Sequence, residues 1–300
     1  MTAQAVIRGQ ESRGLSKQGT LEIVTRFAPS PTGQLHLGHA LSAVLAHDLA
    51  RAADGRFLLR IEDIDRTRSR PDHVATILAD LAWLGLDHEP PVFQSQRLAL
   101  YQSALDRLKE RGLLYPCFCT RADLAAASAS APHGAEPVYP GTCRKLASPD
   151  LSRPHCWRLA MAEARGTVGE QLRWHDAHAG WMTADPAAQG DVILARKDAP
   201  ASYHLAVTID DAAQGVTDVV RGVDLFRATD IHRLLQALLG LPTPRYHHHP
   251  LLVGPDGQRL AKRHGSPTLA AMRAAGMDGR APADDLRHGR LPTGFATANA

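Results

Sequence analysis

The chain has 300 residues, of which 44% are hydrophobic and 22% charged, and a formal net charge of +3. Those proportions suit a globular chain with a sizeable core and exclude global disorder and collagen-like repeats. No apolar run reaches the length of a membrane span, and the charge permits a polyanionic partner without requiring one.

Residues 1–20 lack the apolar centre of a secretory signal and read as a disordered leader on a cytoplasmic protein with no membrane partner. "LEIVTRFA", from Leu21, is a short apolar run rich in β-branched residues, as expected of a buried strand. "GHALSAVLAHDLARAAD" repeats apolar residues at helical spacing (Leu41, Val44, Leu45, Leu49), with Gly55 placed to end the helix, and "RFLLRIED" reads as a second strand. Strand, helix and strand so close together imply a parallel pair joined by a right-handed crossover, the unit of a doubly wound, Rossmann-like α/β sheet. Further helices are predicted over 71–85 and 95–112. Between about Cys117 and Pro186 the alternation breaks down, beginning with an Ala-, Ser- and Pro-rich stretch, and element signals resume at "DVILAR", "HLAVTIDD", "VTDVVRG" and "TDIHRLLQALLGL". The predicted organisation is a sheet domain in two halves, 21–112 and 189–275, interrupted by an inserted module, 113–188. The polar, Gly/Pro-rich 276–300 is predicted to be a poorly ordered tail.

The corner "RFAPSPTGQLHLGHALS" is the first strand-to-helix loop, where open α/β sheets bind ligands. A helix starting near Gly38 offers backbone N–H groups and a positive dipole end. Gly33 and Gly38 allow a tight turn and close approach. His36 and His39, three apart, can donate to phosphate oxygens from one side. A nucleoside triphosphate site, a helix cap with two solvated histidines, and a two-histidine metal site all fit this spacing. "GPDGQRLAKRHGS" taken alone reads as a Gly-rich hairpin with surface charges. Four cysteines, Cys117, Cys119, Cys143 and Cys156, suggest metal in a cytoplasmic chain, with buried metal-free thiols as the alternative and Cys156 available as a fourth ligand. The basic runs at Arg66, Arg68 and Arg70 and at Arg144 and Lys145 are candidates for weak RNA backbone contacts.

"PSPTGQLHLGH" resembles the signature of class I aminoacyl-tRNA synthetases in their glutamyl and glutaminyl branch. "RFAPSPTG", "LRIEDIDRTR", "YHLAVTIDDAAQGVTDVVRGVDL" and the later "RLAKRHG" match the same branch in order, over about 21–275. The resemblance implies a class I catalytic domain that activates L-glutamate with ATP and Mg²⁺. It implies that His36, Gly38, His39 and Lys262 contact ATP, with His36, His39 and Lys262 catalytic. Arg26, Phe27, Ala28, Pro29, Ser30, Glu62, Tyr203 and Arg221 would hold glutamate: the arginines its carboxylates, Glu62 its ammonium, Tyr203 its side chain. Each alone also reads as an ordinary surface or core residue. Arg259 and Ala261 depart from the second signature, where lysine and a small hydroxyl residue are commoner. One structural Zn²⁺ would be held by Cys117, Cys119, Tyr139 and Cys143.

Lys262 falls close to the end of the sequence, so no anticodon-binding domain is expected after it. The chain therefore resembles those members of the family that glutamylate queuosine in the anticodon of tRNA(Asp), and it is expected to be a monomer. A shortened synthetase charging a tRNA 3′ end, and a non-catalytic zinc-bearing RNA-binding module, are the alternatives.

Overall fold

The computed structural model describes residues 22–120, 122–123, 138–169, 171–258, 260 and 267–298. The leader 1–20, the Ala- and Pro-rich 125–137, and Arg259, Ala261 and Lys262 of the second signature lie outside the described residues. β1 (Val24–Phe27) is buried along its length, as its apolar, β-branched sequence requires. α1 (Leu37–Ala52) then crosses to β2 (Arg56–Ile61), which lies parallel to β1 with Val24 opposite Arg56 and Phe27 opposite Leu59. α2 (Pro71–Trp83) leads to the short β3 (Val92–Phe93), parallel to β2. α3 (Leu98–Glu110) is followed by β4 (Leu114–Cys117), β5 (Cys156–Leu159), α4 (Met161–Val168), the hairpin of β6 (Arg173–Asp176) and β7 (Gly180–Thr183), and β8 (Ile193–Ala195). α5 (Tyr203–Ala213), β9 (Asp218–Gly222), α6 (Ala228–Leu239) and β10 (Arg245–His249) form the second crossover, with β9 and β10 parallel. β11 (Leu251–Val253), α7 (Leu269–Ala274), α8 (Arg280–Arg287) and β12 (Ala296–Ala298) complete the described elements.

The strands run β3-β2-β1 and then β9-β10-β6-β7, the two groups meeting where Thr217 N–H donates to the Val24 carbonyl at 2.9 Å. All pairings are parallel except the β6–β7 hairpin at the edge. Strand order reverses between β1 and β9, so the crevice beyond their carboxyl ends is the ligand position of such a sheet. Helices cover both faces. Ala40, Ala43, Val44, Ile77 and Leu81 pack with Phe57, Leu59 and Ile61 in one core; Tyr101, Leu105, Leu205, Ile231 and Leu235 build the other.

Several predicted elements differ in detail. The helix predicted to stop at Gly55 ends at Ala52, and Asp54 rather than Gly55 takes the positive φ, +50°. Gly55 is needed for closeness: a Cβ there would lie 2.1 Å from the Ile23 carbonyl oxygen. "HLAVTIDD" is helical, capped by Ser202, which accepts from Leu205 N–H. The 113–188 span divides between sheets: β4 and β5 join β8 in a small antiparallel sheet, whereas β6 pairs with β10 of the main sheet. The stretch after Gly276 is no loose tail. α8 buries Ala283 and Leu286 in the core of α1, Arg287 pairs with Asp48 at 2.8 Å, and β12 pairs with β11. Its polar composition hides one apolar helix stripe, which is all that a surface helix needs.

Candidate active site

A cavity of ≈ 390 Å³ opens at the strand-order reversal, lined by Arg26, Phe27, Ala28, Pro29, Ser30, His36, Gly38, His39, Glu62, Tyr203 and Arg221. These come from β1 and its loop, the start of α1, the end of β2, the start of α5 and the end of β9, so residues up to 195 apart in sequence share one wall. Lys262 lies outside the described residues, but the residues bounding its segment reach the cavity. Leu260 lines it, and Thr268 bridges to His36.

His36 is the N-cap of α1, and the two histidines form a reciprocal box. Gly38 N–H donates to His36 Nδ1 at 3.1 Å, and His36 N–H donates to His39 Nδ1 at 3.2 Å. A ring whose Nδ1 accepts carries its proton on Nε2 when neutral, so both rings become Nε2–H donors. They lie with centroids 3.8 Å apart. A Cβ at Gly38 would sit 3.0 Å from His36 Cε1, so a larger residue there makes the ring give way by a few tenths of an ångström. The backbone contribution expected from this turn is corrected: Gly38 N–H serves His36 Nδ1, and His39 and Ala40 N–H both donate to the His36 carbonyl. The backbone N–H groups of residues 38–40 are therefore engaged within the turn itself.

The two arginines are held differently. Arg26, 4% exposed, donates from Nε to Asp211 at 3.0 Å and from Nη1 to the Val220 carbonyl at 3.3 Å, and its Nη2 bonds to no other described residue. Arg221 has partners for all its N–H groups. Nε donates to His248, Nη1 to Tyr203 OH and His232, and Nη2 to the Leu225 carbonyl and Thr229. The expected two-pronged grip of Arg221 on a carboxylate thus requires Tyr203 to yield or share its bond. His232 and His248 must accept from Arg221, which only donates, so both rings are neutral. Burial, then the charge of Arg221, lowers His248 to about 4 and His232 well below its ordinary value. Asp176 fixes the far nitrogen of His248 at 2.8 Å, and His232 Nε2 faces His204 Nδ1 at 3.2 Å.

Beneath the cavity lies a buried ionic network that the sequence reading did not single out. Asp211 accepts from Arg26 and, at 2.8 Å, from the fully buried Arg60; Asp210 accepts from Gln94, Arg97 and Tyr101. Burial pushes Asp211 upward, but Arg26 and Arg60 overcome this and hold it below the usual carboxylate range. Glu62 lies 3.8 Å from Arg60 Nη2, and here burial wins, raising it to about 7 against the pull of Arg60 and Arg26. His249 and Ser42, bonded at 2.7 Å, also line the cavity and were missed. The signals available were the Asp-Asp pair inside an apolar helix and three histidines on one strand.

A second cavity of ≈ 730 Å³ shares Ser30, Glu62 and Tyr203 with the first and extends past Asp65, Arg68, Arg196 and His204 toward Tyr139 and Arg158. Burial, then Arg221, lowers His204 to about 4. Of the basic runs, Arg68 pairs with Asp65 at 2.7 Å, Arg70 bonds the Thr67 and Ser69 carbonyls, and Arg144 pairs with the buried Asp191.

At the edge of the small sheet the sulfurs of Cys117, Cys119 and Cys143 lie within 4.8 Å of one another. Tyr139 OH is 3.3 Å from Cys117 Sγ and 3.6 Å from Cys119 Sγ, and Cys119 Sγ is 3.6 Å from Cys143 Sγ. Tetrahedral zinc with Zn–S near 2.3 Å places its ligands about 3.8 Å apart, so the set fits the ion. Burial opposes ionisation of Cys117, but hydrogen bonds from Tyr139 and Arg158 bring it down to about 7. Cys156 points elsewhere, its thiol donating to the Cys117 carbonyl, and burial raises it to about 11.

Residues 22–282 match the family model described as tRNA synthetases class I (E and Q), catalytic domain. Over 284 residues the chain is 52% identical to a glutamyl-Q tRNA(Asp) synthetase of Rhodobacter capsulatus, covering 88% of this chain and 99% of that protein. It is 49% identical over 263 residues to one of Symbiobacterium thermophilum, covering 84% and 81%. A crystal structure of a glutamate tRNA ligase from Elizabethkingia meningosepticum, in complex with its amino acid, superposes with a TM-score of 0.69 at 26% identity. That match covers 82% of this chain and 54% of the ligase, so the chain spans about half the ligase's length. With the parallel sheet, the crevice at its order reversal and these relatives in hand, the chain belongs to the class I aminoacyl-tRNA synthetases, among the glutamyl-Q tRNA(Asp) synthetases, and is a ligase of that kind.

Proposed function

We propose that the chain activates L-glutamate with ATP and Mg²⁺, without tRNA, and transfers it to the cyclopentenediol of queuosine in the anticodon of tRNA(Asp). The glutamate carboxylate attacks the α-phosphorus and pyrophosphate leaves; a ring hydroxyl then attacks the adenylate carbonyl and AMP leaves. No protein nucleophile is needed, so positioning and donors to developing charge supply the catalysis.

The observation that carries this reading is the convergence of Arg26, Arg221, Tyr203 and Glu62 in the cavity whose mouth holds His36 and His39. Arg26 Nη2 and the Arg221–Tyr203 pair receive the carboxylates, Glu62 the ammonium, the two Nε2–H donors the phosphates, and Lys262 the departing pyrophosphate. The adjoining cavity gives the acceptor a route that passes Tyr203 and Glu62. Cys117, Cys119, Tyr139 and Cys143 would hold one structural Zn²⁺, which cross-links the small sheet. The names of the R. capsulatus and S. thermophilum relatives support the choice of acceptor.

The test is transfer of labelled glutamate to tRNA(Asp) with and without queuosine, using tRNA trimmed of its 3′-terminal adenosine. Label on the queuosine-bearing RNA alone is the expected result. Equal labelling of both RNAs defeats the acceptor assignment, and loss of labelling on removal of the 3′-terminal adenosine points to an ordinary charging enzyme. Glutamate-dependent ATP–pyrophosphate exchange without tRNA is expected, and its absence with every substrate saturating defeats tRNA-independent activation.

A further inference from the structure

At the edge of the main sheet, away from both cavities, Trp181 is 65% exposed on β7. A lone exposed ring is ordinary on a protein surface, and what distinguishes this one is its surroundings. Its neighbours are basic. His175 meets the ring edge at 5.2 Å, and the guanidinium of Arg173 lies 5.2 Å from its centroid. Arg233 reaches the same strand, its Nε donating to the Arg173 carbonyl at 3.0 Å.

Strand alternation places more of this chemistry on the same face. Trp181 is opposite His175, and Asp176 is opposite Tyr246, so His175 shares its face with Arg245, His247 and His249 of β10. Arg245 is 58% exposed at its side chain and His247 22%, and the fully buried Asp218 pairs with both. His249, at the carboxyl end of that row, lines the ≈ 390 Å³ cavity. The face thus leads from an exposed aromatic ring through cations and imidazoles to the crevice.

We propose that this face docks the RNA substrate, with one unpaired base stacked on Trp181 and the flanking phosphates held by Arg173 and Arg245. Stacking on a protein ring is open only to a base that has left its helix, and guanidinium groups beside the ring meet the charge on either side of it. Among the described residues the Arg173 guanidinium pairs with no carboxylate, and Arg245 shares the single Asp218 with His247, so the face keeps positive charge that the phosphates of an RNA strand complement. The inference rests on the proposed transfer to RNA and adds the place where that RNA is held.

The experiment measures binding of tRNA(Asp) to the full chain by fluorescence anisotropy, for wild type, Trp181→Ala, Trp181→Phe and Arg173→Gln, beside glutamate-dependent ATP–pyrophosphate exchange. Trp181→Ala is expected to weaken binding by roughly 5- to 100-fold. Trp181→Phe should keep most of it, Arg173→Gln should flatten its salt dependence, and exchange should stay within about twofold of wild type. Wild-type affinity in Trp181→Ala overturns the docking surface, as does a change confined to self-association. Failure of the wild type to glutamylate tRNA(Asp) sinks the underlying reading instead, and is scored separately because anisotropy needs no turnover.

Discussion

Glu62 carries the most sensitive charge in the cavity, since burial leaves it close to half-ionised at neutral pH. Its carboxylate form binds an ammonium and its acid form does not. As pH falls below about 7, the KM for glutamate is expected to rise, approaching tenfold per pH unit. Glutamate KM in pyrophosphate exchange between about pH 5.5 and 8.5 checks this, and Glu62→Gln is expected to flatten the profile at a high KM. A flat wild-type profile would remove Glu62 from the ammonium site. Asp211 is the second test at this scale, because it neutralises both Arg26 and the buried Arg60. Asp211→Asn leaves those charges poorly compensated and is expected to cost about 3–5 kcal/mol in urea unfolding; an unshifted midpoint would show that the network contributes no stability. The crevice-lining residues legible in the sequence were those inside contiguous signatures, such as Arg26, Glu62 and Arg221. Asp211, Arg60, His232 and His248 escaped notice because each draws its meaning from a partner distant in the chain, for example Asp211 from Arg26 across 185 residues.

The elements themselves were easier to read, because β1, α1, β2, β9 and α6 sit where the sequence pattern places them, and the core faces of the helices follow from their period. Two things were not legible. Tertiary packing gave α8 its place, since only Pro282, Ala283 and Leu286 of that helix are buried. A histidine cap of α1 was one of three readings that the spacing left open, and what stayed illegible was its reciprocal form, in which Nδ1 takes the role usually given to a serine or aspartate oxygen. Each point has a consequence. Leu286→Ala is expected to destabilise the chain by about 2–4 kcal/mol despite lying in the polar C-terminal stretch; thermal melts matching wild type would mean that α8 is not docked in solution. Gly38→Ala forces a methyl against the His36 ring, so the ATP KM should rise several-fold while the glutamate KM stays within about twofold. Equal rises in both would mean that the histidine box does not separate nucleotide from amino acid.

On the scale of the whole molecule, the sulfur cluster and the ≈ 390 Å³ cavity are linked by covalent sequence and by sheet geometry. β4 and β5 bring Cys117 and Cys156 together, and β8 completes their sheet by pairing with β5. From β8 the chain turns back, Ser202 N–H donating to the Leu194 carbonyl at 2.8 Å, and Ser202 then caps α5, whose first residue is Tyr203. Tyr203 is held by Arg221 and borders both cavities. The sequence showed an insertion but not this route, because β6 and β7 leave the small sheet for the main one and only the fold reveals the exchange. Loosening the small sheet should therefore be felt at the amino acid. Removing the metal with a chelator is expected to lower the thermal midpoint and raise the glutamate KM a few-fold, with the ATP KM little changed, since His36 and His39 are anchored through α1. Cys119→Ser should reproduce both effects and lose bound zinc. Cys156→Ser should keep one zinc per chain and a wild-type KM, because its thiol serves the Cys117 carbonyl rather than the cluster. Zinc lost from Cys156→Ser but retained by Tyr139→Phe would reverse the choice of fourth ligand, and a glutamate KM indifferent to chelation would mean that Tyr203 is held by Arg221 alone.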